Sequence, residues 1–270
     1  MWEQVQETVS FIQSKTHFSP EYGIVLGSGL GNFTQEMQIE FTLPYAEIPN
    51  FPLTTVQGHQ GALVFGTIGT KKIVAMQGRF HYYEGYSMQE VAFPIRVMKY
   101  LGVQKLIVSN ASGGVNPDYA IGDIILIKDH INLAPEHPLR GENDERFGPR
   151  FVNMNAPYSV NMIVKVKELA ENLDIEVKEG IYLGLQGPTF ETLAEYSMVK
   201  ILGADCVGMS TVPEVIVARH MSLETFGISI ISDMGNEQGI GSVSHAVVLK
   251  ATQEAEPKLR KLVKELILNY

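Results

Sequence analysis

Short apolar runs bounded by glycine or charge recur along the chain: YGIVLG at 22–27, KKIVAMQG at 71–78, QKLIVSN at 104–110, GDIILIKD at 122–129, EGIYLGLQG at 179–187 and FGISIIS at 226–232. Each is short and β-branched enough to predict a buried strand. Between several of them apolar residues return at three- and four-residue spacing, which predicts amphipathic helices over about 87–101, 159–173, 190–202, 212–225 and 244–267. Strand and helix alternate, so the pattern predicts an α/β fold with a central mixed β-sheet flanked by helices. In such folds the chemistry gathers in loops at the strand ends. Two stretches carry no periodicity: about 42–61, rich in proline and glycine, and about 129–158, with Pro135, Pro138, Gly141, Gly148, Pro149 and Pro157. Loops of that length are usually functional or disordered, and their aromatic and histidine content favours function over a plain surface excursion. No composition break, repeat or linker divides the chain, so residues 1–270 are expected to form a single domain.

Composition narrows the class. With 45% hydrophobic and 19% charged residues the chain can bury a large core and is neither disordered nor fibrous. No apolar run is long enough to span a bilayer, and the N-terminal MWEQVQETVSFIQSK lacks the basic start and continuous apolar stretch of a secretory signal. Cys206 is the only cysteine, lies in a short apolar stretch resembling a buried strand, and fits a reducing cytoplasm. A net charge of −9 disfavours nonspecific nucleic-acid binding, and an anionic substrate would need a local cationic pocket.

Five motifs carry candidate chemistry. Ile24-Val25-Leu26 runs into Gly27-Ser28-Gly29-Leu30-Gly31, a turn whose backbone N–H groups and Ser28 hydroxyl can approach an oxyanion. Taken alone it is equally a tight strand-to-helix turn, and it lacks the third glycine spacing and the acidic second strand of a dinucleotide fingerprint. After the strand KKIVAM comes Gln77-Gly78-Arg79-Phe80-His81-Tyr82-Tyr83-Glu84-Gly85-Tyr86, where Arg79 and His81 alternate with aromatics and would face one side of an extended segment. Ser109-Asn110-Ala111-Ser112-Gly113-Gly114 offers small side chains and backbone amides at another strand end, while His59 in Gln57-Gly58-His59-Gln60-Gly61 reads singly as an ordinary loop histidine. In Gln186-Gly187-Pro188-Thr189-Phe190-Glu191-Thr192 an aromatic and a carboxylate stand at the start of a helix, where Glu191 could serve only the helix dipole. The longest string is Val207-Gly208-Met209-Ser210-Thr211-Val212-Pro213-Glu214-Val215-Ile216-Val217-Ala218-Arg219-His220.

Together with EIPNFP, DHINL and NDERFG, these motifs resemble the trimeric purine nucleoside phosphorylases from about residue 20 to the C-terminal helix. The resemblance implies a nucleoside phosphorylase-like fold and the phosphate-dependent cleavage of purine nucleosides, inosine and guanosine first among them, to base and ribose 1-phosphate. It implies that Ser28, His59, Arg79, His81, Ala111 and Ser210 surround phosphate, that Tyr83 and Met209 contact the ribose, and that His245 reaches the 5′-hydroxyl. It further implies that Phe190 and Glu191 hold the base, and that Phe151 is lent across the interface of a homotrimer. The partners expected are purine nucleoside and phosphate, with no nucleic acid or membrane. No cofactor and no metal are expected: phosphate is a co-substrate, and the histidines and cysteine show no ligand-spaced cluster.

One position departs from the pattern. Many members specific for 6-oxopurines carry asparagine where Ile231-Ser232-Asp233-Met234-Gly235-Asn236 places Asp233. An ionised aspartate only accepts hydrogen bonds, so Asp233 suits a 6-amino group, or must hold a proton to help a 6-oxo base leave. Glu191 pulls the other way, because it can accept from the ring N–H and 2-amino group of guanine. His81, Glu191 and Asp233 are thus the candidate catalytic groups, the first on phosphate and the others on the leaving purine. The rival readings are a methylthioadenosine phosphorylase or other 6-aminopurine-accepting phosphorylase, a noncatalytic nucleoside-binding module and, remotely, a dinucleotide-dependent oxidoreductase.

Overall fold

The computed structural model describes residues 1–27, 30–56, 60–235 and 244–270. Helix α1 (Trp2–Lys15) is followed by β1 (Tyr22–Leu26), β2 (Gln38–Pro44), β3 (Ala62–Ile68) and β4 (Lys71–Gln77), then by α2 (Met88–Val91) and α3 (Phe93–Leu101). Next come β5 (Lys105–Gly114), β6 (Ile124–Asn132), α4 (Val160–Asn172), β7 (Lys178–Gly184) and α5 (Leu193–Ile201). The chain ends in β8 (Cys206–Gly208), α6 (Val212–His220), β9 (Glu224–Met234) and α7 (His245–Asn269). Among the described residues no helix is long and apolar enough to cross a membrane.

The described strands form one mixed sheet in the order β2-β3-β4-β1-β5-β8-β7-β6-β9, and β9 pairs back onto β5. Strands β5, β8, β7, β6 and β9 thereby close into a ring, while β2, β3, β4 and β1 form a wing attached to it through β5. β1 is buried along its whole length between parallel β4 and β5, as its unbroken apolar run requires. Around the sheet, α7 packs on β9 and α4, while α1, α3 and α6 pack in series.

The fork between wing and ring positions the site. β5 follows β1 from Lys105 to Val108, and on the same course meets β8 only at Gly113 and Gly114. Over Ser109–Ser112 the first partner has ended and the second has not begun, although β9 continues alongside. Backbone groups in this gap face whatever the surrounding loops bring to it.

Several boundaries differ from the sequence reading for local reasons. The helix expected over 87–101 is interrupted at Ala92, because Pro94 has no N–H with which to continue the ladder. The helix expected to reach 225 ends at His220, since Ser222 turns with φ 56° and the β-branched run TFGISII goes into the sheet. Helix α1 and strands β2 and β3 were not assigned. β2 is an edge strand with mostly exposed side chains, and the stretch read as irregular from 42 begins in its last residues. β3 and β4 form a hairpin whose two-residue turn, Gly69-Thr70, starts with Gly69 at φ 58°. Cys206 lies buried in β8 as expected, and burial pushes its thiol up to about 12.

Candidate active site

The gap in β5 forms one wall of a cavity of about 450 Å³. Most of the residues singled out in the sequence meet there: Arg79, His81, Tyr83, Ala111, Phe190, Glu191, Met209, Ser210, Asp233 and His245 all line it. Ser28 and His59 lie outside the described residues. Phe151 is not among the lining residues; it is 88% exposed, in the loop that precedes α4.

At the β1 end the glycine turn is a matter of room. A Cβ at Gly27 would come within 2.6 Å of the Ser109 carbonyl oxygen, so only glycine lets β1 end against the gap in β5. The chain then enters a 3₁₀ helix, Gly31–Glu36, rather than an α-helix.

Arg79 follows β4 and is almost wholly buried, yet it is not an isolated cation. Its Nε and Nη2 donate to Glu214 Oε1 and Oε2 at 3.1 and 2.7 Å, a bidentate pair buried on both sides. Nη1 donates to the Ser109 carbonyl at 2.7 Å and to Ser210 Oγ at 3.3 Å. Arg79 thus ties the gap in β5 to the start of α6. Sequence reasoning expected Arg79 to supply the positive charge and overlooked its counter-ion Glu214, although Glu214 stands within the longest motif.

His81 and its neighbours form a second group. His81 Nδ1 lies 2.9 Å from Glu84 Oε1, and Tyr83 stacks on the imidazole at 4.7 Å. Burial lowers the His81 pKa, the Glu84 hydrogen bond opposes that, and the nearby Arg79 charge adds to it. Burial pushes Glu84 up, but hydrogen bonds from His81 and from the Thr55 hydroxyl and backbone N–H outweigh it and hold Glu84 at about 2. With Glu84 ionised and His81 neutral, Nδ1 carries the proton and Nε2 is the acceptor nitrogen. Thr55 and Glu84 were missed, and no pattern in the sequence marks their pairing.

A polar chain runs beneath the cavity. Ser112 and Ser229 hydroxyls lie 2.7 Å apart, Ser229 Oγ donates to Asn110 Oδ1, Asn110 Nδ2 donates to Thr211 Oγ1 at 2.7 Å, and Thr211 meets Ser210 at 3.2 Å. Thr211 holds φ at 70°, a strained value for a β-branched residue, at the N-cap of α6 immediately after Ser210.

At the opposite end stand the acidic groups. Asp233 stands next to the end of β9, accepting from Ser232 Oγ at 2.8 Å and from Tyr196 Oη at 3.0 Å. Glu191 is raised by burial, its own backbone N–H opposes this, and the Asp233 charge pushes it further up. Helix α5 does not need Glu191, because Thr192 and Glu195 form a reciprocal capping box one residue on. The hydrogen-bonding role at the start of α5 thus belongs to Thr192 and Glu195, and Glu191 is left to face the cavity.

The model of the Phosphorylase superfamily matches residues 21–268. The chain belongs to this superfamily. Within it, the chain is 45% identical over 265 residues to purine nucleoside phosphorylase 1 of Geobacillus stearothermophilus, covering 98% of this chain and 97% of the relative. It is 48% identical over 271 residues to purine nucleoside phosphorylase of Rattus norvegicus, covering 97% and 93%. The crystal structure of isoform 2 of purine nucleoside phosphorylase from Schistosoma mansoni, in complex with cytosine and ribose-1-phosphate, superposes with a TM-score of 0.94 at 41% identity, covering 99% and 96% of the two chains. A Schistosoma mansoni purine nucleoside phosphorylase in complex with adenosine matches at 0.93 and 40% identity, covering 99% and 97%. This superfamily membership accounts for the mixed sheet and for the convergence of distant motifs on one cavity.

Proposed function

We propose that this chain is a purine nucleoside phosphorylase, which uses inorganic phosphate to convert a purine nucleoside into free base and ribose 1-phosphate. The observation that carries the reading is the division of one cavity between donors joined to Arg79 and Ser210 and carboxylates at Glu191 and Asp233. Relatives of this name at 45% and 48% identity over nearly the whole chain support it.

Cleavage of the C1′–N9 bond develops positive charge on the ribose and leaves the bonding pair on the purine, so both ends need stabilisation. Phosphate lies beneath the sugar, held by Arg79, Ser210, the Ala111 backbone and His81, with Ser28 and His59 completing the set. The neutral imidazole accepts a hydrogen bond from hydrogen phosphate at Nε2 while Glu84 fixes its tautomer. A phosphate oxygen forms the new bond to C1′, and phosphate held in line lowers the entropy cost of that step. Tyr83, Met209 and His245 hold the ribose, His245 at the 5′-hydroxyl. Phe190 stacks on the base, and Glu191 and Asp233 orient it and manage the proton that neutralises it. Phosphate is consumed as a substrate, and the chemistry calls for no cofactor.

Inosine and guanosine are the proposed substrates. Asp233 favours a second reading, turnover of 6-amino nucleosides including methylthioadenosine, which His245 opposes because a 5′-methylthio group offers it no partner. Release of base from inosine, guanosine, adenosine and methylthioadenosine, with and without phosphate, separates these. Phosphate-independent release, or none at all, defeats the proposal. The exposed Phe151 supports a homotrimer in which each chain lends that ring to a neighbour, and the lone buried thiol supports a cytoplasmic location.

A further inference from the structure

Tyr196 takes no part in the mechanism above, yet it stands directly behind the base end of the cavity, against Asp233. It projects from α5, is 6% exposed, and donates its hydroxyl proton to Asp233 Oδ2. Ser232 holds the other oxygen, Oδ1, so the plane of the Asp233 carboxylate is set from both ends. The backbone leaves room for the phenol. A Cβ at Gly113 would lie 3.0 Å from Asp233 Oδ2 and 3.3 Å from Tyr196 Oη, and one at Gly235 would collide with the Tyr196 ring. Neither glycine has a positive φ, so what each provides is space for this side chain. Tyr196 also stands near enough to Glu191 to lower its pKa, against the burial and the Asp233 charge that raise it. A hydroxyl has one proton and two lone pairs, so it can donate to only one carboxylate at a time.

We propose that Tyr196 is a positioning residue that sets base recognition, its hydroxyl fixing the Asp233 carboxylate. With Oδ1 and Oδ2 each occupied by a hydroxyl on one side, the remaining lone pairs of Asp233 are turned to a purine that offers a donor, either a 6-amino N–H or the N7–H of a departing base. The inference deepens the phosphorylase reading and rests on it.

The test is a double-mutant cycle of Tyr196→Phe and Asp233→Ala, with kcat and KM measured for adenosine, inosine and phosphate. Tyr196→Phe keeps the ring in its slot and removes only the hydroxyl. It should lower kcat/KM for the nucleosides by about tenfold, the worth of one hydrogen bond to a charged group, and leave the KM for phosphate unchanged. In the Asp233→Ala background the same change should cost less than about twofold. An equal cost in both backgrounds, or a parallel rise in the KM for phosphate, would make Tyr196 a packing residue and overturn the proposal. The cycle is also read in calorimetric binding of adenine and hypoxanthine, which needs no turnover. Wild-type protein that binds these bases with the predicted coupling but cleaves nothing would defeat the phosphorylase reading alone.

Discussion

Glu191 and Glu214 are carboxylates in opposite circumstances, and each yields a test. Glu191 is raised by burial, opposed by its own backbone N–H, raised again by Asp233, lowered by Tyr196 and raised slightly by Glu195. If its ionised form must accept from guanine, the acid limb of kcat/KM for guanosine lies above the ordinary glutamate value of 4.5. Asp233→Asn removes the neighbouring negative charge, which makes ionisation of Glu191 easier, so the limb should move to lower pH. A limb that stays in place would detach Glu191 from the base. Glu214 instead faces a cation in a buried bidentate pair. Glu214→Ala should destabilise the protein by about 3–5 kcal/mol, since it leaves the Arg79 guanidinium buried without a counter-ion. Denaturant unfolding measures this, and a loss below about 1 kcal/mol would show that the pair is not structural. These residues also show where reading the sequence stops. Arg79 and His81 announce themselves beside aromatics, but Glu214 is 135 positions from Arg79 and Thr55 is 29 from Glu84, so nothing local records either pairing.

At the scale of elements, legibility followed the strength of local signals. The buried strands β1, β4, β5, β6, β7 and β9 were legible because burial on both faces leaves an unbroken apolar run. β2 was not, because an edge strand with exposed faces carries no such run, and α1 was passed over although its buried positions Val5, Thr8, Val9 and Ile12 recur at helical spacing. The start of α5 illustrates a finer failure: Glu191 and Glu195 both stand near the helix end, and the Thr192-x-x-Glu195 spacing, a capping-box pattern the sequence reading passed over, assigns the capping to Glu195. Thr192→Ala should cost about 1 kcal/mol through loss of that cap. The midpoint of urea unfolding reports it, and an unchanged midpoint would return the capping role to Glu191.

For the whole molecule, the closed ring of strands and its wing explain why motifs scattered from Arg79 to His245 reach one cavity, and the proposed homotrimer would add Phe151 of a neighbouring chain to it. A phenylalanine side chain that is 88% exposed forgoes roughly 2 kcal/mol of burial unless another surface covers it. Phe151 lies at the edge of a second hollow of about 630 Å³, with His130, His137, Arg140 and Arg150 around it. If that neighbour's active site is what Phe151 covers, Phe151→Ala should lower kcat/KM for nucleoside while its own Arg79–Glu214 pair and stability stay intact. Mixing then provides the decisive measurement. A chain carrying Asp233→Ala has an impaired pocket but an intact Phe151, and a chain carrying Phe151→Ala has the reverse. Dissociated and reassembled together, they should recover activity that neither possesses alone, because some mixed oligomers pair an intact pocket with an intact ring. Exchange of subunits without recovery would confine Phe151 to packing and leave each pocket self-sufficient.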